Sequence, residues 1–223
     1  MIEIVHCKNY EEMSIKAAGL IAKISVEQRH STLALSGGTS VKRMLEILAA
    51  NRIEWKNTDV FMADERWVER NGKESNFRQA DELFFSKAQG IRAHPFDISA
   101  GVDAYSNEFF SSCKGTPDIA VLGVGEDCHI ASLFPNHPAL KSGEEGYIVA
   151  ENSPKPPPKR VTLSPETISK AKNAILLFAS QGKRGAFDNF VNPKISVSNC
   201  PAKIALKAKR AFVYTVFGDG NAK

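Results

Sequence analysis

Short apolar runs alternate along this chain with stretches whose apolar positions recur at helical spacing. Residues 2–5 read as a strand, and residues 10–28 follow as a helix of alanine, isoleucine and glutamate. Residues 32–36 form the next strand; a glycine pair turns the chain, and a helix runs from about 40 to 50. Strands over 60–63, 119–122, 174–179 and 212–217 alternate with helices over 76–85, 103–111 and 181–190. Alternation of this kind predicts an α/β fold, a parallel sheet with helices on both faces. The sharpest break is 153–158, Ser-Pro-Lys-Pro-Pro-Pro. Consecutive prolines cannot continue a helix or a central strand, so this reads as a surface loop rather than a domain linker. A further strand-and-helix unit follows and can complete the same sheet. There is no internal repeat and no low-complexity tail, so residues 1–223 read as a single domain whose end, 219–223, is frayed.

A chain of 223 residues can bury a full core without disulfides or metals. Its 29 Lys and Arg against 25 Asp and Glu leave a net charge of only +4. That makes no case for nucleic acid and suits a protein that handles small anions. The four cysteines, Cys7, Cys113, Cys128 and Cys200, show no close pairing and no Cys-x-x-Cys. Cys128, His129 and His137 match no standard zinc spacing, so no metal is expected. The start lacks a signal-peptide apolar core, and no apolar run reaches ~18 residues. The expectation is free thiols in a reducing cytoplasm, away from membranes.

Four places carry candidate chemistry. In Ser36-Gly37-Gly38-Thr39-Ser40 a strand ends, glycines turn and hydroxyl residues open a helix, an arrangement suited to phosphate. It is neither a dinucleotide fingerprint nor a P-loop. Asp64-Glu65-Arg66 bunches charge at a strand end; Arg66 suits an oxyanion, or a plain salt bridge with its acidic neighbours. Ser75-Asn76 nearby makes a helix N-cap. The strand 119–122 runs through Gly123 and Gly125 into Glu126, Asp127, Cys128 and His129. His129 is the best general base, with Asp127 placed to orient it. Ser132 lies outside any nucleophile elbow and is discounted; His94 and His137 both precede proline and read as loop residues. Finally, Arg160 and Lys183 are cations, the latter at a helix start where it opposes the dipole and suits an anion instead.

Taken together, Ser36-Gly-Gly-Thr39, Asp64-Glu-Arg66, the run from Gly123 to His129-Ile-Ala-Ser-Leu-Phe-Pro135, Arg160-x-Thr-Leu-Ser164 and Gly182-Lys183 resemble the 6-phosphogluconolactonase family. Order and spacing match from about residue 33 to 183. The resemblance implies a Rossmann-like, mostly parallel sheet plus a small α+β insertion. It also implies hydrolysis of 6-phosphogluconolactone in the oxidative pentose phosphate pathway, by a monomer without metal or cofactor. Carried over, His129 activates water, Asp127 orients the site and Arg66 stabilises substrate or oxyanion. Ser36, Gly37, Gly38, Thr39, Arg160 and Lys183 hold the phosphate. Two departures stand out: Cys128 replaces the family's usual glycine, and the glycine loop lacks its usual proline. A non-glycine residue at 128 costs on the order of 1 kcal/mol if φ is positive there.

Two rivals share this fold class. Amino-sugar-phosphate deaminases typically follow the aspartate–glutamate pair with tyrosine and the histidine motif with Phe-Asn-Glu. Arg66 and Ser132-Leu133-Phe134 argue against that, and only Ile130 leans toward it. A non-catalytic sugar-phosphate sensor normally carries a DNA-binding module and loses the histidine, which this chain keeps.

Overall fold

The computed structural model describes residues 1–51 and 53–217. Seven strands form one sheet in the order β1 (Ile2–His6), β10 (Arg210–Thr215), β9 (Asn173–Phe178), β6 (Ile119–Gly123), β2 (Ser31–Leu35), β3 (Thr58–Met62), β5 (Arg92–His94). Each pairing among them is parallel. β2, β3 and β9 are buried at every position. Alternate side chains point to opposite faces, so both faces of the sheet are covered, as the near-continuous apolar runs require.

Helices α1 (Tyr10–Val26), α2 (Lys42–Ala50) and α3 (Asn76–Leu83) pack in a row, while α4 (Gly101–Cys113) packs against β2. α1 starts where Asn9 Oδ1 accepts the Glu12 N–H at 2.9 Å, and it buries Met13, Ala17, Ala18 and Ile21 on one face. α3 starts the same way, with Ser75 Oγ accepting the Arg78 N–H at 3.1 Å. Two short helices complete the set, α5 (Pro165–Ser169) and α6 (Arg184–Val191).

A second, antiparallel sheet joins β4 (Asp64–Arg66), β8 (Arg160–Leu163) and β7 (Tyr147–Ala150). It is tied to the end of β3 by the Leu163 N–H donating to Ala63 O at 2.8 Å and by the Tyr147 hydroxyl donating to Met62 O at 2.7 Å. The Met62 N–H donates in turn to the Tyr105 hydroxyl at 3.0 Å. These bonds anchor Asp64, Glu65 and Arg66 just beyond the parallel sheet. β4, β5 and β7 carry no pattern that the sequence reading resolved, and His94 belongs to β5 rather than to a loop. Residues 181–183 form a tight 3-10 turn before α6, not its first turn, and a longer 3-10 stretch spans Pro201–Lys207. The expected fraying of 219–223 lies outside the described residues. Among the described residues no helix is long and apolar enough to cross a membrane.

Candidate active site

The carboxyl ends of β2, β3 and β6 open on a cleft of about 250 Å³. On one side runs the glycine loop. Gly38 holds φ at +87°, which a side chain resists, and its N–H donates to Gln79 Oε1 at 2.8 Å. Gly37 passes so close to Asn76 that a Cβ would fall 2.1 Å from Oδ1. Ser36 Oγ lines the cleft, buried and without a hydrogen-bond partner. Behind the loop α2 begins with Val41 as N-cap and no cap from its side chain, and the Arg43 N–H in its first turn donates to the Tyr10 hydroxyl at 3.1 Å.

β4 forms the next wall. Glu65 is fully engaged at the start of α3: it accepts the N–H groups of Arg66 and Asn76 at 2.7 Å and of Phe77 at 2.6 Å, and the Ser75 hydroxyl at 3.0 Å. Burial pushes its carboxyl above the usual range against the pull of those bonds. Asp64 accepts the Ser132 hydroxyl at 2.6 Å, and Ser132 is fully buried. Among the described residues Arg66 forms no ion pair with either acid. One of its terminal nitrogens donates to Glu74 O at 2.5 Å, and its Nε is buried with no partner.

The floor is the turn after β6. The Gly125 N–H donates to His129 O at 2.8 Å and the Cys128 N–H to Gly125 O at 3.1 Å. This closure sets Cys128 at φ +70°, the region where the sequence comparison expects glycine. The Cys128 thiol is 1% exposed and donates to Ala186 O of α6 at 3.4 Å. His129 Nδ1 is hydrogen-bonded to Asp127 Oδ1, and its ring stacks on Phe134 with centroids 4.6 Å apart. Burial pushes the Asp127 carboxyl up, but the bond and charge of His129, with Lys155 beyond, hold it down at about 2. An ionised Asp127 only accepts, so Nδ1 is the donor in this bond and Nε2 is the ring nitrogen left for other partners. Gly125 makes room for the pair: a Cβ there would fall 2.0 Å from His129 Nδ1 and 2.5 Å from Asp127 Oδ1.

Lys183 and Arg160 reach the cleft from the second half of the chain. Lys183 is buried and donates to Ser40 Oγ; burial drives its ammonium down to about 8, with Glu126 pulling the other way. Arg160 stands directly opposite Arg66 in the β4–β8 pair, and Asp64 lies 3.8 Å from its Nη1. Of the residues read from the sequence, Ser36, Gly37, Gly38, Thr39, Arg66, His129, Arg160 and Lys183 all line the cleft, and Asp127 stands beside His129. Ser40, Asp64, Glu126 and Lys155 line it too. Lys155 was missed because it sits in the proline run, whose composition signals only a loop. Among the described residues no cluster of His, Cys, Asp or Glu is arranged to hold a metal ion.

Fold and site define an α/β protein with a glycine-lined cleft beyond its strand ends, walled by Arg66, Arg160 and Lys183 and floored by the His129–Asp127 pair. The chain belongs to the glucosamine-6-phosphate isomerase/6-phosphogluconolactonase family, whose model matches residues 9–214. It is 32% identical over 200 residues to a 6-phosphogluconolactonase of Borreliella burgdorferi, covering 85% of each chain. It is 32% identical over 226 residues to a probable 6-phosphogluconolactonase of Arabidopsis thaliana, covering 88% of this chain and 84% of that one. In fold it is similar to the 6-phosphogluconolactonase of Trypanosoma brucei, with a TM-score of 0.86 at 24% identity over 100% of this chain and 99% of that one. It is also similar in fold to a monomeric glucosamine-6-phosphate deaminase, with a TM-score of 0.81 at 21% identity over 96% of each. The fold is therefore common to both chemistries.

Proposed function

We propose that this chain hydrolyses 6-phosphogluconolactone to 6-phosphogluconate, the lactonase step of the oxidative pentose phosphate pathway. One observation carries the reading: the Asp127–His129 pair sits on a glycine turn at the end of β6, in the same cleft as the glycine loop and Lys183. The names of the Borreliella and Arabidopsis relatives support it. His129 Nε2 takes a proton from water as the oxygen attacks the lactone carbonyl, and the ring C–O bond then breaks, its oxygen receiving that proton. Arg66, with its unpartnered Nε–H, stabilises the oxyanion in between. Ser36, Gly37, Gly38 and Thr39 hold the phosphate, with Lys183 beside them and Arg160 in the wall behind. Anchoring the far end of a small substrate fixes its carbonyl against the water. The chain acts as one monomeric domain on a small molecule, and the reaction uses no metal or cofactor.

The test is to generate the lactone in place with a glucose-6-phosphate dehydrogenase and follow its loss, subtracting spontaneous hydrolysis. An excess rate that His129→Ala abolishes, with 6-phosphogluconate still bound by the variant, is expected. No excess rate from folded protein overturns the reading, and ammonia released from glucosamine 6-phosphate would put a deaminase in its place.

A further inference from the structure

Arg160 lines the cleft, yet its guanidinium faces the protein. The residue is 4% exposed. Nε donates to Pro157 O at 3.1 Å, and Nη2 donates to Lys155 O at 3.0 Å and Pro156 O at 3.3 Å. Nη1 reaches Ser132 Oγ at 3.5 Å and Asp64 Oδ2 at 3.8 Å. Three of these partners are consecutive carbonyls of the proline loop. Prolines have no N–H, so this loop cannot brace itself with turn hydrogen bonds, and Arg160 supplies the missing donors. The Ser153 N–H donating to Pro158 O at 3.0 Å closes its base.

What the braced loop presents is Lys155. Its Nζ lies 3.9 Å from Asp127 Oδ2 and 6.0 Å from the Phe134 ring centroid, beside the acid–base pair. That separation is the outer limit of an ion pair, and the side chain is 52% exposed, so the ammonium keeps N–H groups for a ligand.

We propose that Lys155 is a further catalytic residue, contacting the oxyanion formed at the lactone carbonyl and then the product carboxylate. Arg160 is its positioning residue and holds the loop rather than the phosphate. This rests on the lactonase reading. The carbonyl end of the lactone is uncharged before attack and anionic after it, so a cation there acts on the transition state more than on bound substrate. A phosphate contact would act on both alike.

Steady-state kinetics decide the matter. Lys155→Met is expected to lower kcat about tenfold with KM changed less than about threefold, and Lys155→Arg to recover most of the loss. Arg160→Lys keeps a cation against Asp64 but loses the fork. It should lower kcat by a similar factor, and the double variant should be no worse than either single one, because both changes remove one contact. Pro156→Gly, which loosens the loop and leaves Arg160 intact, should also lower kcat at unchanged KM; it stands in if Arg160→Lys fails to fold. Wild-type kcat in Lys155→Met overturns the proposal, as does wild-type kcat in Pro156→Gly. So do a raised KM at constant kcat in Arg160→Lys and losses that multiply in the double variant. Absence of any His129-dependent hydrolysis in the wild type overturns the lactonase reading and this proposal with it, so the two failures are distinct.

Discussion

At the scale of single residues the floor of the cleft is set by what two backbone positions tolerate. Gly125 leaves no room for a methyl group beside the His129–Asp127 bond. Gly125→Ala should lower kcat by about a hundredfold or more, since misplacing a reacting group by ~1 Å costs that much, while thermal unfolding shifts little. Cys128 presents the opposite case, a side chain held where glycine is at ease. Replacing it with glycine removes left-handed strain of about 1 kcal/mol. It also forfeits a buried thiol contact worth about 1 kcal/mol and adds unfolded-state entropy of about 0.5–1 kcal/mol. Cys128→Ala loses the thiol and keeps the strain. Urea unfolding should therefore show Cys128→Gly at least as stable as Cys128→Ala, reversing the usual order by which glycine falls below alanine. A clear advantage for alanine would mean that the turn opens to relieve φ in solution.

Between elements, the site depends on which segments meet. Lys183 reaches the cleft because β9 ends beside β6 and a 3-10 turn aims it at Ser40. Its ammonium, lowered to about 8 by burial, loses its charge between pH 7 and pH 9. Calorimetry should find 6-phosphogluconate bound about tenfold more weakly at pH 9 than at pH 7, the factor that one required proton gives. Lys183→Met should bind weakly and equally at both. A wild-type affinity flat in pH removes Lys183 from the anion site. In stability the sign is reversed. The folded pKa lies below the unfolded one, so the penalty of burying this charge is complete below about pH 8 and fades as pH climbs toward the ordinary lysine value. The glycine loop, the Asp127–His129 turn and Lys183 were legible in the sequence because each is local, a strand end followed at once by its chemistry. Lys155 was not, since its place depends on Arg160 gripping three proline-loop carbonyls from another strand. For Arg66 the sequence left an oxyanion role and a salt bridge side by side; Glu65 turns to the start of α3, which leaves Arg66 facing the cleft.

The whole molecule has a second charged centre at the other end of β3. Asp59, 5% exposed, accepts Arg92 Nε at 2.8 Å and Nη2 at 3.0 Å, bonds His94 Nε2 at 2.8 Å and contacts His30. Burial pushes its carboxyl up, but those partners outweigh it and hold it well below the usual carboxylate range. A lowered folded pKa contributes stability above the ordinary aspartate value of about 4, which is lost as pH falls below it. Asp59→Asn should destabilise by on the order of 2 kcal/mol at pH 7, measured by urea unfolding, and leave kcat unchanged because the cleft lies beyond the opposite strand end. A fall in kcat would show the two poles to be coupled. The parallel sheet itself was legible, since β6 and β9 are apolar at nearly every position and β2 and β3 each end in an apolar run. The small sheet was named only through resemblance. Strands of three or four residues carry too few alternations to register, and the partners that β4 and β7 find on β8 settle their conformation.

The order of the main sheet also sets a timetable. β1 pairs with β10 alone, and the Met1 amine donates to Lys209 O across 208 residues. On a ribosome adding about 5–20 residues per second, β1 waits on the order of ten to forty seconds for its partner. Until then Ile2 and Ile4 have no sheet to join, and β9 is left as an open edge. A chain arrested before residue 210 would already hold every residue that lines the cleft and yet offer two strands lacking a partner to chaperones, proteases or its own copies.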